Sequence, residues 1–202
     1  NIVLEKARAS DIIILAIGEH KDLSGEAASK TMIRIPGVQE DLLKALKATG
    51  KPIITIVMNG RPLILNEVEM NSDAILEAWW LGTQAGNALS DIIYGDYNPS
   101  GKLPMSFPRH EGQIPIYYNH KNTGRPFNPN DKYTTKYIDA PNTPLYSFGY
   151  GLSYTTFAYS TPMTNKSSFS DADHVTISVN VSNTGNFDGE EVVQLYIRDL
   201  VA

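Results

Sequence analysis

The chain of 202 residues carries a net charge of −5 and no Lys/Arg cluster, which argues against the basic stripe that nucleic-acid backbones require. It contains no cysteine, so disulfides, thiol nucleophiles and cysteine-based metal sites are excluded. Hydrophobic residues make up 42% and charged residues 19%, a globular balance, and no apolar run approaches the roughly 20 residues that cross a bilayer.

Residues 11–17 are a short β-branched run ended by Gly18, and they predict a fully buried strand. A polar loop follows, "GEHKDLSGEAASK" over 18–30. Pro36 precedes a predicted helix over 38–48, in which Val38, Leu42, Leu43 and Leu46 share one stripe while Glu40, Asp41 and Lys44 turn elsewhere. Acidic residues in its first turn, Lys47 in its last and Gly50 beyond match the helix dipole and a glycine stop. Residues 52–58 predict a second buried strand, closed by the turn signal Asn59-Gly60-Arg61-Pro62. Residues 73–80 read as a third strand and 85–94 as a second helix. Buried strands alternating with amphipathic helices predict an α/β fold, a mostly parallel sheet flanked by helices.

From about 95 to 144 the chain is rich in Pro, Gly, Asn and Tyr and has little periodicity, the mark of functional loops or of a segment wrapping a surface. Further on, Val175, Ile177, Val179 and Val181 alternate with polar residues, predicting a half-buried antiparallel strand. After a turn at 183–186, Val193, Leu195 and Ile197 predict another. The expected organisation is an α/β domain over 1–157 and the first strands of a β-sandwich module over 158–202.

In open α/β sheets, ligands gather outside the carboxyl ends of the strands, and the loop 18–30 leaves such an end. Gly25 beside Glu26 permits close approach of a ligand, and a carboxyl desolvated there becomes a proton donor. The plainer alternative, a solvated acidic loop, is the rule for loop glutamates. His20 with Glu19, Asp22 and Glu26 lacks any helical metal-binding spacing, so no metal is expected. The Gly18…Gly25 spacing is no phosphate-binding loop, and Gly149-Tyr-Gly-Leu-Ser153 lacks the spacing of a nucleophile elbow. Trp79-Trp80 end an apolar strand, so at least one of them is better read as core than as part of a sugar-stacking platform. In the irregular region, His120, Asn122 and Arg125 are polar groups suited to hydrogen-bonding a polyol, although a structural loop is the commoner role.

Several stretches together resemble the C-terminal portion of glycoside hydrolase family 3, especially periplasmic β-glucosidases of bacteria. They are "SGEA" (24–27), "GKPIITIVMNGRPL" (50–63), "AILEAWWLGTQAGNALSDIIYGDYNPSGKLPMSFPR" (74–109), "IPIYYNHKNTGRP" (114–126), "LYSFGYGLSYTTF" (145–157) and "VSNTGNFDGEEVVQLYIRD" (181–199). The resemblance implies a three-part parent enzyme: a barrel that supplies a nucleophilic aspartate, an α/β sandwich that supplies the general acid/base, and a fibronectin type III-like module. The Glu of the family's S-G-E segment falls on Glu26, with Glu19 as reserve candidate because the loop varies in length.

The resemblance further implies a retaining, exo-acting β-glycosidase of periplasmic or secreted location, with a β-glucoside or oligosaccharide as substrate and no cofactor. The barrel of the same protein is the implied partner, a homodimer is compatible with it, and this chain alone is expected to be inactive for want of the nucleophile. Two alternatives stand beside it: a non-catalytic carbohydrate-binding or assembly module, and an N-acetylglucosaminidase or β-xylosidase of the same family.

Overall fold

The computed structural model describes residues 2–121 and 123–198. Contacts divide the described residues into two units, one formed by those within 2–89, 103–150 and 197–198, the other by 90–102 and 151–196.

The first unit is built on a three-stranded parallel sheet in the order β1 (Ile13–Gly18), β2 (Ile53–Met58), β3 (Ala74–Glu77). The register pairs Ile13 with Ile53 and Gly18 with Met58 across the first two strands, and Ile54 with Ala74 and Val57 with Glu77 across the next. The three carboxyl ends therefore lie side by side. β2 is the buried centre, with Ile53, Thr55 and Val57 fully inaccessible. β1 is less buried than its apolar run predicts, because it is an edge of this sheet and Ile14 on its outward face is 46% accessible. β3 is four residues long rather than eight, because Trp79 turns into the left-handed region (φ 47°) just past its end.

Helix α2 (Gln39–Lys47) covers the sheet with Leu43 and Leu46, which are buried, while Val38 and Leu42 of the expected stripe are left outside. Two helices absent from the sequence reading flank it, α1 (Ile2–Ala9) and α3 (Asn66–Asn71). Both are short, and each buries a single residue, Ala7 and Val68, too little apolar patterning to announce a helix. Asp73 ties these pieces together: its carboxylate accepts the Ile53 amide at 2.9 Å and the Lys47 ammonium at 3.0 Å. Those bonds, the backbone one first, hold its pKa below the usual carboxylate range.

The irregular stretch is anchored rather than loose. Phe107, almost wholly buried, exchanges backbone bonds with Leu145 and Tyr146, and Leu103 does so with Gly149 and Tyr150. The Phe107 ring packs on Trp79 at 5.7 Å and on Tyr146 at 6.3 Å between centroids. Trp79 is thus a core residue, as the plainer sequence reading has it, while Trp80 is 43% accessible.

The second unit contains helix α4 (Ala85–Tyr94) in part and two antiparallel ribbons. β4 (Phe157–Tyr159) pairs with β7 (Val181–Asn183), and β5 (Met163–Thr164) with β6 (Ile177–Ser178). The strand expected over 175–181 is split into β6 and β7, with Val179 and Asn180 between them. The strand expected at 193–197 does not form among the described residues. Asn98 fastens the unit by accepting the Ser153 hydroxyl and the Tyr154 amide and donating to the Asp188 carbonyl.

Candidate active site

The parallel register puts Gly18 and Glu19 at the end of β1, Asn59 to Arg61 at the end of β2, and Glu77 with Trp79 at the end of β3. Glycine is required at position 18: its φ is +144°, and a Cβ there would lie 1.9 Å from the Met58 carbonyl oxygen. The Gln39 side chain brackets this glycine, accepting its amide at 2.9 Å and donating to its carbonyl at 3.0 Å.

Glu19 opens the loop and is locked at its root. The side chain has no solvent exposure, and its two oxygens are taken by Lys30 at 2.7 Å and Arg61 at 3.1 Å. Arg61 also donates to the backbone carbonyls of Leu23 and of Ala28, the latter at 2.8 Å. One buried carboxylate and two cations thus close the loop into a ring around the end of β2. Such an ion triad persists only because each charge is met by hydrogen bonds.

Glu26 lies at the opposite extreme, exposed at the loop's tip. It is flanked by two residues of positive φ, Gly25 at 104° and Ala27 at 57°, and the turn closes with the Ala28 amide on the Gly25 carbonyl. An alanine in the left-handed region costs energy that the surrounding ring of bonds must offset. Ser24, just before, packs against Gly60 so closely that a Cβ on that glycine would meet its hydroxyl at 1.9 Å, with the Trp80 indole nitrogen 2.8 Å away. An open cleft of about 500 Å³, lined by Lys30, Met32, Arg34, Ile35 and Pro36 among others, flanks the loop's exit.

Among the described residues no group of His, Asp and Glu is placed to hold a metal ion. His20 is exposed and serves locally, its Nδ1 lying 3.2 Å from Asp22. His120 lines a shallow cleft with Tyr117, Asn119 and Lys121, a lining that does not include Arg125. Arg125 is exposed, with its backbone tied to Thr123 and Thr135. Asn122 lies outside the described residues. The sequence reading passed over Arg61 as part of a turn, and over Lys30 and Glu77. The signal that marks Arg61 and Glu77 is their place at adjacent parallel strand ends.

Comparison with known proteins completes this picture. The family model described as "Glycosyl hydrolase family 3 C-terminal domain" matches residues 1–154. The chain belongs to glycosyl hydrolase family 3. Its match is to that family's C-terminal domain. It is 51% identical over 201 residues to the periplasmic beta-glucosidase of Salmonella typhimurium, covering 98% of this chain and 26% of that protein. It is 43% identical over 197 residues to a beta-xylosidase of Formosa agariphila, again covering 97% and 26%. Among solved structures, the beta-glucosidase of Listeria innocua in complex with glucose matches with a TM-score of 0.91 at 42% identity, over 100% of this chain and 28% of that one. The family 3 chain therefore spans about a quarter of the length of the relatives it matches. No helix among the described residues is long and apolar enough to cross a membrane.

Proposed function

We propose that this chain is the acid/base-bearing part of a retaining, exo-acting β-glucosidase, with Glu26 as the general acid/base. The observation that carries this reading is the division of labour within one strand-end loop. Glu19 is buried with both oxygens in ion pairs, whereas Glu26 stands exposed at the tip, available to a substrate. Glu19, the reserve candidate, is better read as the anchor of that tip.

In this scheme Glu26 protonates the departing glycosidic oxygen while an aspartate of the parent enzyme's barrel attacks the anomeric carbon. It then takes a proton from the water that releases the glycosyl-enzyme. Retention requires the two carboxyls about 5–5.5 Å apart, and the anionic nucleophile at that distance favours the protonated form of its neighbour at the start of the cycle. His120, Asn122 and Arg125 are proposed as substrate contacts. Residues 1–157 would form the α/β sandwich domain and 158–202 the beginning of a fibronectin type III-like module. Export to the periplasm or beyond agrees with the Salmonella relative's name. The barrel of the same protein is the proposed partner, and this chain alone is expected to turn over no aryl β-glucoside.

The Formosa relatives favour a second reading of specificity, a β-xylosidase built on the same acid/base. Kinetics of the full-length enzyme on glucoside and xyloside pairs separate the two. For the mechanism, Glu26→Gln in that enzyme should lower kcat about 10²- to 10⁴-fold on poor leaving groups, far less on activated aryl glycosides, with partial rescue by azide. The same signature from Glu19→Gln, with Glu26→Gln unaffected, would reverse the assignment.

A further inference from the structure

At the ends of β2 and β3 two neighbouring side chains, Asn59 and Glu77, have buried acceptor oxygens without a hydrogen bond of normal geometry. Among the described residues neither oxygen of the Glu77 carboxyl has a hydrogen-bond partner of normal geometry, and both are shielded from solvent. The Asn59 side chain, fully buried at the end of the adjacent strand, donates through Nδ2 to the Arg61 carbonyl at 2.7 Å. That bond fixes which end of the amide is oxygen, and this Oδ1 is also without a donor. A buried acceptor without a donor is destabilising, and a charged one more so.

One proton removes the conflict. We infer that Glu77 is a neutral carboxylic acid in the native protein, and that its O–H donates to Asn59 Oδ1 as the innermost link of the network holding the Glu26 loop. The chain of contacts is continuous. Asn59 donates to the backbone of Arg61, and Arg61 binds Glu19 and the carbonyls of Leu23 and Ala28. Glu77 is thus a positioning residue, acting through Asn59 and Arg61. The inference rests on the acid/base reading of Glu26 only for its catalytic consequence.

The electrostatics agree with the geometry. Burial pushes the Glu77 pKa up to about 8, opposed by the nearby Trp79 amide and Asn59 side chain, neither of which reaches good hydrogen-bond geometry. Across the sheet the residue paired with Glu77 is Val57, which carries no charge. The charged groups at the neighbouring strand ends, Glu19 and Arg61, are engaged with each other, and Glu19 also with Lys30. A carboxyl with a raised native pKa contributes stability that is complete below its unfolded value of 4.5 and is lost as pH rises toward 8. Between those limits the opening constant of the network should rise by up to about tenfold per pH unit.

Hydrogen exchange of the full-length enzyme reads this at the loop, using amides of 19–30 and 59–61 corrected for the intrinsic pH dependence of exchange. Wild-type protection should fall between pH 5 and 8 and level off above. Glu77→Gln supplies a permanent N–H donor in place of the O–H and should be flat over that range, while Glu77→Ala should be poorly protected throughout. Parallel pH dependence in wild type and Glu77→Gln, or none in either, overturns the inference. Should Glu77→Gln not fold, infrared spectra of the enzyme with ¹³C-labelled glutamate decide the matter in a Glu26→Gln background. A protonated-carboxyl band at pH 6 that disappears above pH 9 is expected, and its absence at pH 6 refutes the proposal. Since neither readout uses catalysis, failure of the Glu26 assignment leaves both intact, and failure here leaves that assignment untouched.

Discussion

Two irregular segments of the first unit solve one mechanical problem in opposite ways. The loop 19–30 is held at its root by a buried anion, Glu19, between Lys30 and Arg61. The longer loop after Phe107 is held by a buried neutral amide, Gln113, only 3% accessible. Gln113 Oε1 accepts the amides of Arg109 and His110 at 2.7 and 3.3 Å, and Nε2 donates to the carbonyls of Pro141 and Thr143 at 2.7 and 3.3 Å. A neutral amide saturates its hydrogen bonds with no ionic desolvation cost, and it suffices where only a loop's path must be fixed. The ionic version costs more to bury and fails harder when one member is lost. It is found at the root of the loop that carries Glu26, the proposed acid/base, and its two cations outnumber its one carboxylate.

The sharpest way to break this comparison is Arg61→Ala. It strips Glu19 of one of its two cations and frees the Leu23 and Ala28 carbonyls, so about 3–5 kcal/mol of stability should be lost in urea unfolding. Activity of the full-length enzyme should fall with it, because the tip carrying Glu26 loses its tether. Next in size is Gln113→Ala. Two backbone amides and two carbonyls lose their partner, and the loop can recover some of these bonds with water, so a loss of about 2–3 kcal/mol is expected with kcat little changed. If the two variants proved equal in both stability and activity, the distinction between a functional and a structural loop would collapse. Gly60→Ala probes the same contrast from the backbone. Its methyl group meets Ser24, so it should displace the Glu26 loop and lower kcat while costing about 1–3 kcal/mol in unfolding experiments.

The scaffold behind these loops is legible in the sequence. The strand runs read at 11–17 and 52–58, which form as Ile13–Gly18 and Ile53–Met58, announce themselves by β-branched composition, and the position of the loop after β1 follows from the parallel-sheet rule. Glu26 as the candidate came from resemblance, because a glutamate in a polar loop carries no local sign of its use. What stayed hidden was set by tertiary contacts. Nothing in the sequence distinguishes Glu19 from Glu26 by burial, since Glu19 is covered by Lys30 and Arg61, eleven and forty-two positions away. Glu77 sits within an apolar strand, where a carboxylate looks like a surface residue until its neighbours are known. The helices α1 and α3 are too short for periodicity to reveal. The 193–197 segment has the alternation of a strand and still finds no partner among the described residues, since pairing is decided by what lies alongside.

The smallest expected effect tests whether charge as such matters to these loops. Arg34 meets Glu111 in a two-point contact, Nε to Oε1 at 2.9 Å and Nη2 to Oε2 at 3.1 Å, joining the segment after the Glu26 loop to the start of the Gln113 turn. The contact raises the Arg34 pKa and lowers that of Glu111, each acting first through the hydrogen bonds between them. Yet the arginine side chain is 60% accessible, so water and salt screen the pair. Arg34→Gln should therefore cost only about 0.2–1 kcal/mol, and that cost should shrink as salt is raised. Because the Glu111 carboxyl has its pKa lowered, the pair's contribution is present above the ordinary glutamate range and fades as pH falls through the lowered value. The Arg61 cost, arising from a side chain only 18% accessible against an inaccessible carboxylate, should be nearly indifferent to salt. Equal salt sensitivity in Arg34→Gln and Arg61→Ala would show that the Glu19 anchor is solvated in solution and that the contrast between the two loops is one of degree.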